Sequence, residues 1–257
     1  VSPAPYGRLA GIAPRRSTVG VSQTVNVPIA ATYPGFVRGG LLTLVDAADP
    51  LSYPGTGTTW FDVSGNGRNF DLQSGPTWTP SDGGYITFSG SNQAVLAYDA
   101  GLNASTWTIA IWVYLLSNPA NLDTIVSRGY PPTIEYYIDC RTQFQCGAYS
   151  DIGANNAANV NGTTSANSTV GSWRLLTGRW DGTNMSIFLD AAREAHANRT
   201  WGGQTSTSTF AIAALPVNTG FQRRTDMRVG LCALYGRALS DEEVRGNFEA
   251  TRWRFER

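Results

Sequence analysis

The sequence predicts an all-β domain of sandwich or jelly-roll type. From Leu41 onward, short runs of alternating apolar residues recur, and Gly, Asn, Asp and Pro separate them. Between Leu41 and Arg237 nothing reads as a long helix. At 257 residues, one large β core is a simpler reading than two small domains.

Residues 1–38 contain five prolines and four glycines and show no sustained period. Such a segment cannot bury enough apolar area to offset its own ordering entropy. It is expected to be an extended arm ordered by another surface, and Ile12, Val19, Val21, Val25, Val27 and Ile29 suit docking. The break at Gly39 and Gly40 places the folded domain at 39–257.

Expected strands are 41–47, 85–89, 94–99, 106–115, 123–128, 133–139 and 144–150, then, after a polar loop at 151–172, 173–180, 184–191, 209–215 and 227–236. Between the first two lies "TTWFDVSGNGRNFDL" (58–72), where Gly65 and Gly67 permit positive φ and Asp62 and Ser64 can bond nearby amides. Asp181 and Gly182 mark a hairpin. A helix is expected at 240–252: Ser240 and Glu243 form a capping box, acidic residues occupy the first turn, and Val244, Phe248 and Phe255 fall near one face. That stripe needs an apolar partner on "VGLCALYG", whose alternation puts Val229, Leu231 and Ala233 on one face and Cys232 and Leu234 on the other.

Composition excludes more than it assigns. The 19 basic residues, all Arg, balance 19 acidic ones, so no global field draws the chain to nucleic acid or to an anionic membrane. The arginines are scattered, as coding bias predicts. No apolar run approaches a membrane span, and the N-terminus lacks the pattern of a secretory signal, so a soluble chain is expected. Cys140, Cys146 and Cys232 lack metal-ligand spacing; Cys140 and Cys146 can face one another across a hairpin, but free buried thiols are the default. No cofactor fingerprint is present.

The pieces "LVDAADPLSYPGTGTTWFDVSGNGRNFDL", "YITFSGS", "WTIAIWVYL", "RLLTGRWDGTNMSIFLDA" and "VGLCALYGRALSDEEVRGNFEATRWRF" resemble the concanavalin A-like, laminin-G-like jelly-roll domains. They are most similar to the version found in virion structural proteins of tailed bacteriophages. The likeness covers about residues 40–257 and omits the arm. It implies a virion protein on the capsid surface, present in many copies, whose jelly roll faces solvent and whose arm docks on the major capsid protein or another virion protein. The alternative it implies is a tail-fibre or receptor-binding module that recognises glycans. Some relatives hold Ca²⁺ near the 58–72 corner, where Asp46 and Asp62 are the available carboxylates, although the dense acidic loop of a calcium site is missing.

The superfamily includes glycosidases, whose retaining members carry an E-x-D-x-E strand that this sequence lacks. Glu135 and Asp139 share a strand face but lie roughly 13 Å apart by strand rise, beyond the span of either stereochemical course. Exchange of Glu135 for Gln is therefore expected to change stability little. His196, in polar surroundings, is expected at the surface, and no activated serine turn exists. The chain is expected not to be an enzyme. For glycan contact, Trp60, Trp78, Trp112, Trp201 and Tyr149 are candidates by type. Trp107, Trp112, Trp173 and Trp180 lie in strand patterns and read as core, whereas Trp78 and Trp201, flanked by Pro, Thr and Gly, are expected to be exposed.

Overall fold

The computed structural model describes residues 33–119, 123–130, 133–140, 143–150, 156–161, 170–201 and 206–255, with backbone alone at 130, 133, 149–150 and 156–161. The arm before residue 33 and the side chain of Tyr149 lie outside the described residues.

Two eight-stranded antiparallel sheets face one another. The first comprises β1 (Leu41–Asp46), β4 (Thr77–Thr79), β5 (Tyr85–Phe88), β7 (Trp107–Leu115), β12 (Trp173–Trp180), β13 (Asn184–Leu189), β14 (Ala192–Asn198) and β18 (Met227–Tyr235). Its order is β14-β13-β12-β7-β18-β5-β4, and β18 shares its other edge between β5 and β1. The second sheet comprises β2 (Thr59–Trp60), β3 (Phe70–Gln73), β6 (Gln93–Leu96), β8 (Asp123–Tyr130), β9 (Thr133–Cys140), β10 (Phe144–Ser150), β11 (Asn156–Asn161) and β15 (Phe210–Ile212). Its order is β11-β10-β9-β8-β15-β6-β3-β2. A small hairpin, β16 (Leu215–Val217) and β17 (Gly220–Gln222), stands apart. This is the β-sandwich expected from the alternating runs.

The space between the sheets is filled by alternate residues of each strand, among them Trp60, Phe70, Trp107, Ile109, Ile111, Tyr136, Ile138, Met185 and Phe210. Each such large side chain, fully buried, contributes about 1.5–3 kcal/mol of transfer free energy. A second apolar layer lies outside the first sheet, where α1 (Asp241–Thr251), the one α-helix among the described residues, lays Val244 and Phe248 over Trp112, Leu231 and Ala233. The capping box forms as expected: the Glu243 amide donates to Ser240 Oγ at 3.2 Å and the Ser240 amide to Glu243 Oε2 at 2.9 Å.

The faces of β18 differ from simple alternation. Val229 lines the inter-sheet core with Cys232 and Leu234, while Leu231, Ala233 and Tyr235 meet the helix. A bulge between Val229 and Leu231 causes the switch by inserting one residue and reversing the parity of the remaining strand. That residue is Gly230, where an added Cβ would sit 2.4 Å from two Phe255 ring carbons, so only glycine admits the ring.

Edge strands are the least legible in the sequence. β11 falls inside the stretch expected as polar loop, and β14 lies in "AAREAHAN". Neither carries large alternating apolar residues, because an edge strand is held by the backbone ladder of its neighbour, and in β14 Arg193 and Glu194 discourage further pairing. Short strands β2, β3 and β4 likewise occupy the stretch that reads as turns.

Residues 33–38, assigned to the arm by composition, lie on the body. Tyr33 and Phe36 are buried in the layer under α1 and the Val37 amide donates to Asn247 Oδ1 at 2.8 Å. The composition break at Gly39 therefore falls inside the packed structure, because Tyr33 and Phe36 add enough apolar area to hold this short stretch on the sheet.

Candidate functional site

Polar chemistry concentrates in four places. The first is the 58–72 corner. Asp62 Oδ1 accepts from the amides of Leu44 and Ser64, both at 2.9 Å, and Oδ2 from the Arg68 amide at 3.0 Å and Ser64 Oγ at 2.8 Å. Asn66 Nδ2 donates to the carbonyls of Leu41 and Leu42 at 3.0 and 3.1 Å. The motif thus staples the corner to β1, as its Asp and Asn suggest. Its carboxylate is saturated by donors, which leaves it unsuited to a calcium ion.

Asp46, the other carboxylate considered for Ca²⁺, is fully buried in the second cluster. Arg254 Nη2 lies 2.9 Å from its Oδ1 and Nη1 2.9 Å from its Oδ2, while the Tyr33 hydroxyl donates to Oδ2 and the Ala48 amide to Oδ1. Burial beside this carboxylate pushes the Tyr33 hydroxyl far above the ordinary phenol range. A cation already occupies this acid, so the residues present do not fit a metal.

The third place closes one end of the sandwich. Arg128 is fully buried and its Nη1 lies 2.6 Å from Glu135 Oε2; its Nη2 donates to Asn103 Oδ1 at 2.6 Å and to the carbonyls of Asp99 and Ser206. Glu135 also accepts from the amides of Ala104 and Ser206, at 3.0 and 3.1 Å. Burial pushes the Glu135 carboxyl up, against the pull of Arg128 and the two amides. Both oxygens are spent on the fold, and neutralising Glu135 strands a buried guanidinium. The near-neutral exchange expected from strand spacing therefore does not hold.

The fourth is a row on the outer face of the first sheet, past the end of α1. Arg228 on β18 stands opposite Tyr114 on β7, which stands opposite Trp173 on β12. The Arg228 guanidinium carbon is 4.8 Å from the ring centres of both Tyr85 and Tyr114. Trp173 lies 5.7 Å from each of those rings and 4.8 Å from Phe255. Tyr114 and Trp173 are half-buried.

The aromatic residues singled out for glycan contact are placed otherwise. Trp201 is only 9 % exposed and lies edge-on to Trp180 at 5.9 Å, inside the core. Flanking glycines indicate a turn but not the direction of the ring, and a large ring gains by turning inward. Trp78 is half-buried, its Nε1 donating to the Ala47 carbonyl at 2.8 Å and its ring edge-on to Tyr53. Trp60 and Trp112 are buried. Exposed rings instead include Trp253, at 58 %, and Tyr98, at 47 %, above Arg128. Sequence reasoning misses the Arg228 row because Trp173 reads as core and Arg228 as one scattered arginine; an arginine opposite Tyr114 and diagonal to Tyr85 becomes visible only once strand register is known.

His196 is exposed on β14, as expected, with Nδ1 2.7 Å from Ser186 Oγ. Ser186 is fully buried, so this pair offers no accessible nucleophile. Cys140 stands opposite Phe144 and Cys146 opposite Ile138, out of register for a disulfide, and all three thiols are free and buried.

No curated protein matches the chain. Among solved structures, the binding domain of botulinum neurotoxin DC in complex with rat synaptotagmin II is similar with a TM-score of 0.65 at 12% identity, over 84% of this chain and 52% of that one. A structure of botulinum neurotoxin type C, described as depending for cell entry on two ganglioside molecules, has a TM-score of 0.66 at 11% identity, over 84% and 52%. Trypanosoma rangeli sialidase in complex with sialic acid has a TM-score of 0.61 at 16% identity, over 85% of this chain and 34% of that one. The chain therefore spans about half of the toxin domains and a third of the sialidase. Residues 88–245, more than half of the sequence, match the laminin-G-type family described as the concanavalin A-like lectin/glucanases superfamily. With both the sandwich and this match in hand, the chain belongs to the concanavalin A-like lectin/glucanase superfamily in its laminin-G-like form.

Proposed function

We propose that this chain is a non-enzymatic surface protein of a tailed-phage virion, a capsid decoration protein whose jelly roll faces solvent. The observation that carries the reading is the buried root of the N-terminal segment: Tyr33 is held by Asp46 and Arg254, and Phe36 packs beside it. A segment too poor in apolar surface to fold alone, attached through such a root, gains order by spreading over a capsid protein. Support for a non-catalytic role comes from Glu135, which spends both oxygens on Arg128 and backbone amides.

The test is particle occupancy. Deleting residues 1–32 should leave a folded domain that no longer joins the virion, whereas normal capsid occupancy by the truncated chain would refute the reading. A second reading, glycan recognition by a tail-fibre or receptor-binding module, is supported by the open Arg228 row and by fold neighbours described with gangliosides and with sialic acid. Labelling confined to the tail rather than the capsid would favour it.

A further inference from the structure

Arg228 is a cation without a counter-charge. Arg128, Arg179 and Arg254, the arginines buried in the fold, each meet a carboxylate within 2.9 Å, whereas Arg228 is half-buried. Among the described residues the Arg228 side chain makes no hydrogen bond or ion pair, and its Nε is buried without an acceptor. Asp226, two positions away, directs Oδ1 to the Gly90 amide at 2.7 Å. Nε is buried, the guanidinium carbon sits 4.8 Å from both ring centres, and Arg228 is half-buried, so Nη1 and Nη2 form the edge left for a ligand.

We propose that this row is a binding site for a carboxylated sugar, a uronate in its simplest form. The two-nitrogen edge offers parallel N–H bonds that match the two oxygens of a carboxylate. The half-buried rings of Tyr114 and Trp173, set edge to face with centres 5.7 Å apart, put apolar surface beside the cation for the C–H face of the sugar. A bare anion would leave those rings unused, and a neutral sugar would leave the charge unpaired. This deepens the glycan-recognition reading and is independent of where the chain sits on a particle.

The experiment compares trigalacturonate with its methyl ester on the full chain, by calorimetry for affinity and by NMR of the Trp173 indole for location. The expected result is binding of the acid at least tenfold tighter than the ester, with the Trp173 signal shifted. R228Q should abolish the preference, R228K, which keeps the charge but not the fork, should lose most of it, and W173A should weaken both ligands. Equal affinity for acid and ester, no binding of either, or an unchanged preference in R228Q would overturn the proposal. Acetate binding as tightly as the trimer would reduce the site to a bare anion site, and tighter binding of a peptide C-terminus would assign it to a protein; either result also overturns it. Should R228Q fail to fold, the acid-against-ester comparison and the Trp173 signal in the unmodified chain decide the question alone. Failure here leaves the capsid reading standing, since particle occupancy is measured separately.

Discussion

Arg254 and Asp46, 208 positions apart in sequence, form a two-pronged ion pair with both Nη atoms 2.9 Å from the carboxylate oxygens. The pair joins the turn that follows α1 to β1, and Arg254 also reaches the Gly83 carbonyl through Nη2 at 2.6 Å. Its side chains are 3% and 1% exposed, so solvent screens it little.

Removing one partner of this pair should therefore be costly. Arg254→Met leaves a buried carboxylate without its cation and should lower unfolding free energy by about 3–5 kcal/mol. Chemical denaturation would show this as a lower midpoint at unchanged slope; a loss below about 1 kcal/mol would mean that the carboxylate is satisfied by its amides and Tyr33 alone.

Truncation separates the arm from its root. Removal of residues 1–32 should change stability little, whereas removal of 1–38 also takes away two buried rings, each contributing about 1.5–3 kcal/mol. The unfolding midpoints of the two truncations should differ accordingly, and coincident midpoints would show that Tyr33 and Phe36 add nothing to the fold.

The C-terminal helix should behave as part of the body. Phe248 lies against Trp112, ring centres 5.8 Å apart, and Phe248→Ala should cost about 3–5 kcal/mol. Ser240→Ala, which removes the cap, should cost about 1 kcal/mol. Thermal or denaturant melts of both variants test the ranking, which an unchanged Phe248→Ala midpoint would contradict.

Acid should weaken this region through Glu243. Hydrogen bonds from Arg237 to both oxygens, at 2.6 and 2.7 Å, hold the carboxyl below its ordinary value. The folded-state pKa is depressed, so the associated stability is present above the unfolded value of 4.5 and is lost as pH falls through the folded one. Glu243→Gln should flatten the stability profile in that acid range, and an equally steep acid loss in the variant would assign the effect to other carboxylates.

The three thiols should be inert in the native state. Burial pushes all of them up, Cys146 to about 12, so little thiolate exists near neutral pH and none is accessible to reagent. Thiol labelling at pH 8 should track global unfolding; rapid native-state reaction of even one cysteine would show local opening of its strand.

The sequence by itself determined what is decided within a few residues: the capping box at Ser240 and Glu243, the Asp181–Gly182 hairpin, the Asp62–Ser64 turn, and the strands whose side chains alternate. Their physics is local, since a side chain bonds an amide two or three positions away and alternation places a residue on one of two faces. Tertiary structure alone decided the rest. The Gly230 bulge reversed the parity of β18, the pairing of β11 and β14 came from neighbouring ladders, and Trp201 turned inward although its sequence flanks suggested exposure. Arg254 found Asp46 while Arg228 found two tyrosines and no acid, a difference between two arginines that composition cannot express. The partner of a charge in a sandwich is set by which strands return beside one another, and that choice minimises the free energy of the whole core rather than of any local stretch.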